Sequence, residues 1–189
     1  KFDLPIDIVV EPVSGEIQGD EVEKEAIVAI VRNPKTGQLL MLDWGPRQDR
    51  FGGHLFIGGG RDEGEDEIAC AQREIAEETG YTNVKHVTTV PYPVHSYYFS
   101  NVKNKNYYAR MRGLLFDLVD ETQVDTKLDE GEKDKFKLKW VTPAEAGALV
   151  DDGGHRYIYE ALISGECYHG EGVMVNSGKF DGQASSAAR

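Results

Sequence analysis

The sequence predicts an α/β (α+β) fold, on three observations. Short β-branched and apolar runs recur along the chain, one well-formed amphipathic helix lies among them, and two further helix starts follow the last run. The length of 189 residues suits about one domain. With 40% hydrophobic and 10% aromatic residues, the chain has enough apolar surface for a core.

The elements follow in order. Residues 4–10 are an apolar stretch interrupted by Pro5, an extended segment or short strand ending at Pro12, and 13–23 read as a polar connector. Residues 25–32, EAIVAIVR, are a buried strand. Asn33 to Gly37 has turn chemistry, with Pro34 setting φ and Gly37 permitting a positive φ. Leu39 to Trp44 returns as a strand, so 25–44 is predicted to be a hairpin. Gly45 to Gly53 is a loop, and Leu55 to Ile57 leads into Gly58, Gly59 and Gly60, read as a Gly-rich loop. Residues 66–79 form the best helix: Ile68, Ala71, Ile75, Ala76 and Thr79 share one side, and Gly80 is a natural stop. Val84 to Val90 is a strand, Pro91 to Pro93 break it, His95 to Phe99 alternate, and Tyr107 to Val119 form a long strand. Asp120 to Asp134 is an acidic loop. Phe136 to Val141 is a strand with Phe136, Leu138 and Trp140 on one face. Thr142 opens a helix with Pro143 at its first position, and a second helix is expected from Arg156 to Ser164.

Lys+Arg total 21 and Asp+Glu 33, a formal charge of −12. That balance argues against unspecific binding to nucleic acid or anionic membranes, because phosphates are repelled. It suits a chain that gathers carboxylates, and carboxylates gather hard cations. Cys70 and Cys167 make neither a disulfide framework nor a zinc site, so a reducing, cytoplasmic setting is expected. No apolar run reaches the roughly 18 residues of a membrane helix. The chain opens on Lys1 and is expected to be a piece of a longer protein.

The dense signal is GGGRDEGEDEIACAQREIAEETGY, Gly58 to Tyr81. Glu74, Glu77 and Glu78 span an arc of about 100° on the helix. Like charges so placed repel by a few tenths of a kcal/mol per pair, and those in the last turn oppose the helix dipole. A compensating cation is required. Arg73 reaches Glu77 at i,i+4, and a divalent ion is the larger candidate. An oxygen-only donor set points to Mg²⁺, with Mn²⁺ as the alternative, and such ions commonly bridge to substrate phosphates.

The same stretch resembles the Nudix box, G-x5-E-x7-R-E-U-x-E-E-x-G-U with U apolar. Gly59, Glu65, Arg73, Glu74, Ile75, Glu77, Glu78, Gly80 and Tyr81 fill it. Seven fixed positions at roughly 7% usage each give a chance match on the order of 10⁻⁸ per start site. Two departures are mild: Ile57 stands where the family often has Pro, and Tyr81 fills the last apolar place. The resemblance implies an α/β/α sandwich around a mixed sheet and hydrolysis of a pyrophosphate joining a nucleoside to a second moiety. It implies that Glu74, Glu77 and Glu78 hold Mg²⁺ with the Gly59 carbonyl, that Glu65 assists from the loop, and that Arg73 orients the glutamates. For a general base, Glu74, Glu130 and Glu132 are candidates. Trp44, Tyr97, Tyr98, Tyr107 and Tyr108 are candidates for stacking on a base, and His95, Arg47 and Arg50 for touching phosphate, although packing or solvation explains each as well. Asn176 to Gly178 is polar enough for a site but reads as a turn.

The flanks resemble a second family. Residues 2–12, FDLPIDIVVEP, and 168–182, YHGEGVMVNSGKFDG, are similar to two segments of leucyl-tRNA synthetases that are ordinarily separated by a short connector in the connective-peptide editing domain. This resemblance implies four parts: a stub at 1–23, a Nudix domain at 24–150, a helical connector at 151–167, and a second stub at 168–189. Such a fragment lacks the synthetase's ATP-binding motifs and cannot aminoacylate alone. The expected partners are a nucleotide-derived small molecule, the rest of the synthetase, and tRNA through that parent. The alternative function is a catalytically silent module that supports tRNA binding or positions the editing domain, for which Lys103, Lys105, Arg110 and Arg112 are the basic patch to inspect.

Overall fold

The computed structural model describes residues 8–9, 22–45, 53–100, 105–126, 136–150 and 152–164, with 8–9 and 97–100 described by their backbone alone. The β-branched run at 25–32 lies in the middle of the sheet, within strand β2 (Val22–Arg32), β1 being Ile8–Val9. The chain continues through β3 (Leu39–Asp43), β4 (His54–Leu55), β5 (Ile57–Gly60) and helix α1 (Glu67–Thr79). Then come β6 (Val84–Thr89), β7 (Val94–Ser100), β8 (Lys105–Leu118), β9 (Lys137–Val141), α2 (Pro143–Leu149) and α3 (Gly153–Tyr159). A π-helical turn, Glu160–Ser164, ends it.

β2 pairs in parallel with β8 along its whole length, from Val22 opposite Tyr107 to Arg32 opposite Asp117. Its other side is shared by antiparallel β5, with Ala26 opposite Gly60 and Ala29 opposite Ile57, and by the start of β3. β7 and β6 take successive stretches of β8, with a bulge between His86 and Thr88. β4 and β9 pair with β3, and β1 runs parallel to β7. The sheet is therefore mixed.

Because successive side chains alternate, β2 feeds two cores. Ile27, Ala29 and Val31 pack with Ile57, Leu114 and Phe116 against Cys70, Ala71 and Ile75 of α1. Val28 and Ile30 pack with Phe56 and Met41 against Ala146 of α2 and Tyr157, Ile158 and Tyr159 of α3. A strand covered on both faces reads as an unbroken apolar run, which is what 26–31 shows. The layering is the expected α/β/α sandwich.

Three local expectations are corrected. The 25–44 hairpin exists only at its tip, where Val31 faces Leu40 and Arg32 faces Leu39; on that edge Ala26 to Ala29 pair with β5 instead. Gly58 to Gly60 are strand rather than loop, held by β2 despite their poor strand propensity. The second helix starts at Gly153, three residues early, because Asp152 caps it by accepting from the His155 N–H at 2.9 Å. The other helix starts follow the sequence closely. Asp66 accepts from the Ile68 and Ala69 N–H groups, and Gly80 closes α1 at φ 76°. Thr142 and Glu145 form a capping box on α2. Among the described residues no helix is long and apolar enough to cross a membrane.

Candidate active site

The site is built around β5. Consecutive strand residues face opposite sides of a sheet, so Gly58 and Gly59 turn toward different helices. A Cβ placed on Gly59 would lie 1.9 Å from the Glu74 Cδ of α1. A Cβ on Gly58 would lie 3.6 Å from the His155 Cε1 of α3. The missing side chain at 59 thus lets a carboxylate lie directly against backbone.

Arg73 organises the acids. Its Nε donates to Glu65 Oε1 at 2.9 Å and its Nη2 to Glu65 Oε2 at 2.9 Å and to the Gly60 carbonyl at 3.0 Å. Its Nη1 donates to Glu74 at 2.7 Å and to Glu77 at 3.2 Å. These five contacts match the five N–H donors of a guanidinium, so the side chain is spent on orientation. Its own pKa rises accordingly, chiefly through the Glu65 bond.

The two acids nearest Arg73 are shifted in opposite directions. The Arg73 bond, helped by the Asp62 N–H, holds the Glu65 carboxyl at about 2. Glu74 moves the other way: burial pushes its pKa up, and Arg73 only partly opposes that. Desolvation of an ionised carboxylate is costly unless positive charge is brought to it. Cys70, beneath Arg73, is pushed to about 12 by burial and is no nucleophile at neutral pH.

A cavity of about 270 Å³ adjoins β5. Gly58, Gly59 and Glu78 border it together with Lys24, Asp152 and His155, while Trp44, Phe56 and Met111 supply apolar wall. No three metal-binding side chains converge among the described residues, and the Arg73 guanidinium bonds to both Glu74 and Glu77. The donor set nonetheless fits a hard divalent cation. It is all oxygen, Glu74 is desolvated beyond what Arg73 offsets, and the absent Gly59 side chain brings that carboxylate against the backbone.

Of the residues singled out by sequence, Glu65, Arg73, Glu74 and Glu77 form one bonded cluster, Gly59 touches it, and Glu78 reaches the cavity. Trp44 borders the cavity while packing on Phe136 with ring centroids 4.8 Å apart. Tyr107, Tyr108 and His95 do not border it; His95 is buried with its Nδ1 on the Tyr108 hydroxyl. Arg110 pairs with Glu25 at 3.3 Å and Arg112 with Glu67 at 3.2 Å, which neutralises half of the basic patch, while Lys105 is exposed. Arg47, Arg50, Lys103, Glu130, Glu132, the side chains of Tyr97 and Tyr98, and 176–178 lie outside the described residues.

Four polar cavity residues escaped sequence reasoning: Lys24, Ser96, Asp152 and His155. Asp152 carried a readable cap signal. His155 carried none, since its partner Phe56 is 99 residues away.

The NUDIX domain family model matches residues 22–162. No curated protein matches the chain. Among solved structures, the E. coli dihydroneopterin triphosphate pyrophosphohydrolase is 20% identical with a TM-score of 0.53, covering 77% of this chain and 99% of its own. A C. elegans Ap4A hydrolase binary complex is 18% identical with a TM-score of 0.51, covering 75% and 98%. The M. smegmatis Nudix hydrolase RenU is 17% identical with a TM-score of 0.50, covering 78% and 87%. At these identities the likeness is one of fold.

Proposed function

The chain belongs to the NUDIX domain family, and from that membership we propose that it is a Mg²⁺-dependent hydrolase, with Mn²⁺ as a substitute, acting on a nucleoside diphosphate linked to another moiety. The observation that carries the reading is the close approach of Glu74 to Gly59 beside a cavity that Glu78 also borders. Glu74, Glu77, Glu78 and the Gly59 carbonyl are the proposed metal ligands. A divalent ion held there supplies charge neutralisation for the phosphates and activation of water. Arg73 sets the rotamers of Glu74 and Glu77, and Glu65 fixes Arg73 in turn. Lys24, on the cavity wall, offers a cation to phosphate.

The test is phosphate release from nucleoside diphosphate derivatives, dinucleoside polyphosphates and NADH, with Mg²⁺ or Mn²⁺, comparing the protein with Glu78→Gln. Turnover that the substitution lowers by a hundredfold or so supports the hydrolase, since a lost electrostatic stabiliser commonly costs about that much. No turnover across the panel removes this reading.

The flanking motifs carry a second proposal: the 24–150 unit is an insertion in the editing domain of a leucyl-tRNA synthetase, with 1–23 and 168–189 as the two stubs and 151–167 as the helical connector. It is supported by the order of FDLPIDIVVEP and YHGEGVMVNSGKFDG on either side of the insertion. Sequencing the parent reading frame decides it: a synthetase core on both sides is expected, and an unrelated context removes it. The alternative of a silent tRNA-supporting module is weakened by the pairing of Arg110 and Arg112 with acids.

A further inference from the structure

We propose that His155 is a specificity-determining residue that donates from its Nε2–H to an acceptor on a heteroaromatic base of the substrate. The proposal rests on the hydrolase reading for its substrate class and adds the group that selects within it.

The ring's tautomer is set by the backbone. The Phe56 N–H donates to His155 Nδ1 at 3.2 Å, so Nδ1 must keep its lone pair and the neutral ring carries its hydrogen on Nε2. The ring's orientation is fixed as well. It lies 7° from parallel with the Phe56 ring, which is itself stacked on Tyr159 at 9°. The backbone beneath is pinned by the Asp152 cap at 2.9 Å. The ring borders the cavity, and among the described residues nothing accepts from Nε2.

The chemistry of the donor points to a base rather than a phosphate. Burial favours the neutral imidazole, which offers a hydrogen bond without charge. An uncharged donor matches a ring nitrogen or carbonyl. Phosphate binding is better served by the Lys24 ammonium on the same wall. Trp44 and Met111 supply apolar wall suited to the faces of a flat ring. A carboxylate acceptor, Asp152, borders the cavity near His155, so a base with both an acceptor and a donor on its edge has a partner for each.

The experiment separates the two nitrogens. His155→Asn keeps an acceptor near the Nδ1 position and removes the cavity donor. His155→Gln returns an amide N–H near the Nε2 position and loses the Phe56 contact. Each protein is titrated with ATP, GTP, CTP, UTP and inorganic tripolyphosphate, and kcat and KM are measured wherever turnover occurs. His155→Asn is expected to weaken the preferred nucleotide about tenfold through KM or Kd, the fold-change of one net hydrogen bond. It should flatten discrimination among the bases and leave tripolyphosphate binding alone, and His155→Gln should recover part of the loss. Equal loss for nucleotide and tripolyphosphate, an unchanged base preference in His155→Asn, or no nucleotide binding by the unaltered protein overturns the proposal. Base-selective binding without hydrolysis leaves it standing and removes only the hydrolase reading.

Discussion

Helices α1 and α3 approach the same strand from opposite faces, and they do it differently. On the α1 side, Gly59 admits Glu74 to within 1.9 Å of where a Cβ would be, and four guanidinium contacts hold the acids in place. On the α3 side, Gly58 leaves ordinary contact distances, and neutral rings stack: His155 on Phe56, and Phe56 on Tyr159. One face concentrates charge at a cost in repulsion and desolvation, while the other packs without strain. On the proposed reading this is a division of labour, with reactive groups on the crowded face and recognition on the neutral one.

The sharpest way to break the comparison is Gly59→Ala. The new methyl group would occupy the space of the Glu74 carboxyl, whose own movement is restricted by Arg73 and by burial. The carboxylate must swing away, and misplacement of about 1 Å at a reacting site costs roughly a hundredfold in rate. Turnover in the phosphate-release assay should fall by about that factor. Stability should fall as well, because the displaced carboxylate gives up its 2.7 Å pairing with Arg73. Turnover within twofold of the unaltered protein would show that Glu74 is not needed where it stands.

Glu65 probes how the charged face is held. Its carboxyl sits at about 2 in the folded chain against an ordinary 4.5. A depressed carboxyl adds stability that is fully present above about 4.5 and is lost as pH falls from there toward 2. Glu65→Gln should therefore lower unfolding stability at neutral pH by about 1–2 kcal/mol, after discounting for its partial solvent exposure. The difference from the unaltered protein should shrink between pH 4.5 and 2, the two values that bound the titration. Urea unfolding at pH 7 and pH 3 measures both, and a gap independent of pH would mean that the charge on Glu65 contributes nothing.

The two faces were also unequally legible. The α1 side could be read because its residues are close in sequence and their spacing is the motif: Glu65, Arg73, Glu74, Glu77 and Glu78 fall within one loop and one helix. The buried run of β2 was legible for a similar reason, since burial on two faces leaves a local record in Ile27 to Val31. The strand character of Gly58 to Gly60 was not, because it comes from pairing with Ala26, Ile27 and Val28 rather than from propensity. The expected hairpin shrank to its tip on the same ground: β5 takes the edge of β2 from Ala26 to Ala29 that β3 would otherwise pair with, and no local pattern encodes that competition. His155 was invisible because its tautomer depends on Phe56, which is 99 residues away in sequence.

Gly58→Ala is the smallest test and bears most directly on the division of labour. A Cβ there would meet the Ile27 carbonyl at 3.4 Å and His155 Cε1 at 3.6 Å, both ordinary contacts. Its backbone is extended strand paired opposite Val28, which an L-residue adopts freely. Replacing a strand glycine with alanine reduces the unfolded chain's freedom and should raise stability by about 0.5 kcal/mol. The methyl also narrows the cavity beside His155, so KM should rise a few-fold while kcat holds. Adjacent glycines one residue apart would then give opposite signatures, rate loss at 59 and affinity loss at 58. If Gly58→Ala instead lowers kcat as strongly as Gly59→Ala, the two faces share the chemistry, and the separation of reaction from recognition across β5 is wrong.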